Sequence, residues 1–103
     1  MKALKDSDSH NFSNADSAEI AAFYDKIASR VQHFRHLRGI SQLELALEIG
    51  IRSVAFYSNC ENNRYGKHFN LEHIYKLAKA LKVPLSEFFE DFTEFGKSEF
   101  EDY

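Results

Sequence analysis

The sequence predicts an all-α domain of five helices, and three observations carry that prediction. Apolar residues fall at positions 20, 23, 24, 27, 31, 34 and 37, the spacing of one helix face. Ser41-Gln42-Leu43-Glu44 has the reciprocal pattern of a capping box, and Gly39 and Gly50 bracket the short helix it opens. No stretch alternates with the two-residue period of a strand, and no internal repeat is present.

Residues 1–16 are rich in Ser, Asn and Asp and are read as a flexible arm. Asp16 or Ser17 can cap the first helix, which runs to Arg38 and stops at Gly39, where a left-handed residue is needed. In the second helix Leu45, Ala46 and Ile49 line one side, Leu43 and Leu47 lie partly outside that stripe, and Gly50 ends it. Ile51 returns to the core, and Ser53 is the next candidate cap, opening a third helix from Val54 to Cys60 or Glu61. Residues 62–69 form a polar loop. Asn70 caps a fourth helix with Leu71, Ile74, Leu77, Ala78 and Leu81. Val83-Pro84 marks an extended residue followed by a helix start, and Leu85, Phe88, Phe89 and Phe92 make a fifth, short helix. The segment 93–103 is an acidic aromatic tail without periodicity.

A chain of 103 residues is one domain, here placed at 17–92 between the arm and the tail. One cysteine forms no internal bridge, no zinc spacing occurs, no apolar run would span a membrane, and the N-terminus has no signal-peptide core. A cytoplasmic protein is expected. The net charge of -3 is unevenly spread: residues 30–82 carry nine Lys/Arg against four Glu, while residues 83–103 carry one basic against seven acidic groups. The middle is an electrostatic footprint for phosphate; the ends are not.

Two short helices joined by a tight turn need a buried inner face on the second, and an outer face of small or polar groups can then enter a major groove. Tyr57 and Cys60, three apart, face inward. Val54, Ala55, Ser58 and Asn59 lie outward or on the flanks, where Asn59 can pair with adenine and Val54 and Ala55 can touch a thymine methyl. Phe56 is either a further core anchor or an exposed ring.

Val31, Phe34, Arg35, Gly39, Ser41-Gln42, Leu45-Ala46, Gly50-Ile51, Tyr57-Ser58 and Glu61 follow one another in an order that resembles the Cro and phage-repressor (XRE) family of helix-turn-helix proteins. Asn62-Asn63-Arg64 and the run Leu71, Ile74, Leu77-Ala78-Lys79-Ala80-Leu81, Val83, Leu85 and Phe88-Phe89 continue the resemblance, which covers roughly residues 27–92. It implies a five-helix, lambda-repressor-like DNA-binding fold with the motif at helices 2 and 3. Arg35, Gly39, Ser41, Ala46, Gly50, Tyr57 and Glu61 would be its structural residues.

The same resemblance implies that Gln42, at the positive end of the second helix, contacts phosphate. Ser53, Ser58, Asn62, Asn63, Arg64 and Lys67 would be further backbone contacts. Glu61 would brace the third helix by a surface ion pair with Arg35, geometric in effect rather than strongly stabilising. One departure stands out: Arg52 intervenes before Ser53, one residue more than the family's usual spacing. Either the turn is longer, or the reading helix starts at Arg52 in a shifted register. Base readout then falls to Arg52, Val54, Ala55 and Asn59, aided by DNA shape.

His33/His36 and His68/His73 have spacings that could hold a metal, but no Cys or carboxylate completes a set, and neither metal nor cofactor is expected. Cys60 reads as a core residue rather than a redox sensor. No catalytic constellation and no glycine-rich phosphate loop occurs, so an enzyme is not expected. Phe88, Phe89, Phe92 and Phe95 leave apolar surface that a two-fold dimer would cover, matching two half-sites on DNA. Family habit points to a homodimeric repressor of a pseudo-palindromic operator. The alternative is an antitoxin or interaction regulator that keeps the fold but works through a protein partner, with the acidic tail as a candidate contact.

Overall fold

The structure is a computed structural model that describes residues 13–92. Among these residues are four α-helices and no strand: α1 (Ser17–Arg38), α2 (Gln42–Glu48), α3 (Val54–Glu61) and α4 (Leu71–Leu81). A 3-10 helix, Leu85–Phe92, stands where the sequence predicts a fifth α-helix. None of these helices is long and apolar enough to cross a membrane. The arm at 1–12 and the tail at 93–103 lie outside the described residues.

Each α-helix starts on a side-chain cap. Asp16, Ser41, Ser53 and Asn70 accept from the backbone N–H of Glu19, Glu44, Phe56 and His73 respectively. In α2 the Glu44 carboxylate returns to the Ser41 N–H at 3.0 Å, completing the capping box. In α4 the imidazole of His73 does the same for the Asn70 N–H, also at 3.0 Å.

All four α-helices also end alike, on a residue in the left-handed region: Gly39, Gly50, Asn63 and Lys82, with φ of 68°, 84°, 53° and 59°. At each end the next N–H reaches back to a carbonyl of the last turn. The bonds are Ile40 to Arg35, Ile51 to Ala46, Arg64 to Asn59 and Val83 to Ala78. This is the Schellman arrangement, and it satisfies carbonyls that a helix end otherwise leaves bare.

The core lies where these ends turn the chain inward. Val31, Leu45, Ala46, Tyr57, Leu77, Leu81 and Phe88 are fully buried, and Ile27, Phe34, Ile49, Ile51, Phe69 and Ile74 surround them. α1 packs against α3, α4 and the 3-10 helix, and α2 packs against α3 and α4. Two arginines on α1 tie it to the end of the domain. Arg38 donates to the carbonyls of Leu81 (2.7 Å) and Lys82 (3.1 Å), capping α4 from outside. Arg30 holds the carboxylate of Glu87 at 3.0 Å and its backbone carbonyl at 2.9 Å. This pair ties the last helix to α1.

Phe88 corrects the sequence reading. It is 0% exposed, its ring edge-on to Phe34 with centroids 6.1 Å apart, so it belongs to the core of its own chain and is not available to a dimer face. Phe89 is half-buried against the same core. Phe95 and the side chain of Phe92 lie outside what is described.

Candidate nucleic-acid interface

The interface is built around one buried carboxylate. Arg35 from α1 reaches Glu61 at the end of α3 through Nε–Oε2 (2.7 Å) and Nη2–Oε1 (2.9 Å). Gln42 of α2 donates to Oε1 at 2.8 Å, and the Tyr57 hydroxyl donates to Oε2 at 2.7 Å. Arg35 also donates to the Ile40 carbonyl in the link between α1 and α2. One side chain thereby fixes three helices relative to each other.

This corrects the expectation of a surface ion pair: the side chains of Arg35 and Glu61 are 9% and 0% exposed. Burial pushes the Glu61 carboxyl up, but the bonds from Arg35, Gln42 and Tyr57 outweigh it, and its pKa lies below the ordinary value. Burial and the adjacent carboxylate push the Tyr57 phenol up, and the bond to Glu61 raises Arg35. At neutral pH the network is therefore a fixed carboxylate with three donors.

With its inner face so held, α3 turns Val54 (42% exposed) and Ala55 to solvent, with Ser58 and Asn59 half-buried on the flanks. Phe56 is intermediate: it packs against the core and lies edge-on to His73 at 6.3 Å. The register around Arg52 is that of the longer turn. Ser53 accepts from Phe56 N at 3.1 Å, α3 begins at Val54, and Arg52 stands exposed in the turn before the helix.

The residues assigned to the DNA backbone divide into two sets. Arg64 and Lys67 are exposed and Asn63 half-buried, in the loop that leaves α3. Arg64 N bonds to Asn59 O at 2.8 Å, and Lys67 N to Arg64 O at 3.0 Å across a tight turn with Tyr65 and Gly66 both left-handed. The others already have partners inside the protein. Ser53 caps α3, the Asn62 amide donates to the carbonyl and hydroxyl of Ser58, and one N–H of Gln42 is committed to Glu61. A carboxamide has a second donor, which Gln42 can turn outward.

The family model described as helix-turn-helix matches residues 32–88, just over half of the chain. The chain is a member of the XRE-type helix-turn-helix family. The match spans α2, α3, the turn between them and all four side chains of the Glu61 network. Comparison with curated proteins and with solved structures returned no significant match.

Several features of this helix-turn-helix domain have no signature in sequence spacing. Arg38 and Arg30 meet acceptors more than forty residues away. The Tyr24 ring stacks on His68, with centroids 3.6 Å apart and planes within 7°. The histidines have separate roles: His73 caps α4, His68 stacks, His33 lies edge-on to Phe34, and His36 meets Arg35. Cys60 is buried on the inner face of α3, and burial pushes its thiol up to about 11, so it is protonated at neutral pH.

Proposed function

We propose that this protein is a sequence-specific transcriptional regulator that binds a pseudo-palindromic operator as a homodimer and acts as a repressor. The observation that carries the reading is the Glu61 network. It holds α3 rigidly from behind while leaving Arg52, Val54 and Ala55 exposed along one edge, next to a loop bearing Arg64 and Lys67. Base edges would be read by Arg52, Val54, Ala55 and Asn59. Phosphates would be met by Gln42, Ser53, Ser58, Asn62, Asn63, Arg64 and Lys67. Repression follows from occupancy: a small protein seated on a promoter blocks polymerase without needing a further domain. Phe89, Phe92 and Phe95 form the proposed dimer surface.

The test is selection of bound duplex from a random pool, followed by salt-titrated binding and the mass of the complex in solution. Arg64→Ala should weaken every duplex alike and make the plot of log K against log salt shallower by about one. Asn59→Ala should change which sequences are preferred, by about 1–3 kcal/mol at one base pair. Absence of duplex binding at low salt would overturn the reading and favour a protein partner instead. Equal loss on all sequences for Asn59→Ala would remove that residue as a reader.

A further inference from the structure

The family match starts at residue 32, whereas α1 starts at Ser17. The first turns of α1 therefore lie outside the shared region, and apart from half-buried Tyr24 they are exposed as far as Lys26. Tyr24 is one point at which this extension meets the rest of the molecule. Its ring lies flat on His68, the residue that closes the loop after α3, and both line a groove with Ile20, Ala21, Asn63 and Gly66.

That loop needs a clamp. Asn63, Tyr65 and Gly66 are all left-handed, and residues 64–67 are exposed, so packing does not hold their side chains. The backbone is tied at Arg64 N and across the turn at Lys67 N, and Phe69 re-enters the core just beyond. His68 is held through the face of its ring. Its Nδ1 is buried without a partner among the described residues.

We propose that Tyr24 is a positioning residue for DNA binding: stacked on His68, it keeps the 63–67 loop in the conformation that offers Arg64 and Lys67 to the phosphate backbone. This rests on the DNA-binding reading above, and the α1 extension is then a strut for the interface rather than a passive lead-in.

The test uses the full chain with Tyr24→Ala, Tyr24→Leu and Tyr24→Phe. In the Ala and Leu variants, amide exchange at Arg64 and Lys67, whose N–H groups tie the loop backbone, should quicken. Affinity should fall about 2- to 10-fold on all duplexes, the range an aromatic pair supplies. The salt plot should become shallower, and the thermal midpoint should fall by no more than the few degrees that losing one aromatic pair implies. Tyr24→Phe, which keeps the ring, should restore all three. Leu separates the flat ring from mere apolar bulk: a Leu variant with normal loop exchange and a normal salt slope overturns the proposal. So does a Phe variant that fails to rescue. If the wild type itself binds no duplex, the DNA reading fails, and the exchange data alone then judge the clamp.

Discussion

Glu61 is the residue on which the geometry of this domain turns. Its two oxygens accept four hydrogen bonds from three side chains on α1, α2 and α3. Glu61→Ala would leave the Arg35 guanidinium buried without a counter-charge, and breaking a buried pair this way costs about 3–5 kcal/mol. Urea unfolding should show that loss as a lower midpoint with an unchanged slope; a change under 1 kcal/mol would refute the buried-pair account. Spacing alone pairs Arg35 with Glu61 only as a resemblance implies, and it suggests a surface pair. What it lacks is depth: Gln42 and Tyr57 close over the carboxylate only once α2 and α3 are packed. Phe88 shows the converse error. Read with Phe89 and Phe92 it looks like an apolar surface, yet it fills the space beside Phe34.

At the scale of elements, helix boundaries were the most legible part of the chain. Ser41 with Glu44 and the glycines at 39 and 50 are local signals, and the structure places a cap or a left-handed stop at each. The same stop recurs at Asn63 and Lys82, where no glycine announces it. Lys82 is the costliest of the four, because a Cβ in the left-handed region meets backbone that glycine avoids. Lys82→Gly should therefore stabilise the domain by about 1 kcal/mol in chemical denaturation. Its carbonyl, which serves Arg38, remains in place. A destabilised Lys82→Gly protein would mean that the lysine side chain has a role beyond the turn. The 3-10 form of residues 85–92 was not legible, since Pro84 and the apolar spacing mark a helix start and a face but not its hydrogen-bond period.

At the scale of the whole molecule, stability should fall over two separate ranges of acid pH. Burial holds the His73 imidazole below its ordinary value, and its ring nitrogen must stay neutral to accept from Asn70 N. That contribution is complete above about pH 6.5 and is lost as the pH falls through the depressed folded value. Glu61 is depressed likewise, and the exposed carboxylates of Glu44 and Glu72 are lowered by Ser41 and Lys76. Their contributions are complete above about pH 4.5 and disappear at more acid values. His73→Gln keeps a neutral acceptor at that position of the capping box. Its melting temperature should stay level between pH 7 and 5 where the wild type declines. Parallel curves for the two proteins would disprove the assignment.

The division between frame and face has a consequence for how such a protein changes its target. Arg52, Val54 and Ala55 are exposed and stand apart from the Glu61 network, and substitutions at sites of that kind usually alter stability by less than about 0.5 kcal/mol. Ser53, between them, is tied down because it caps α3. On the proposed reading, Arg52, Val54 and Ala55 are thus an interchangeable cassette on a fixed mount. On that reading, new preferences would be acquired one side chain at a time at little cost to the fold.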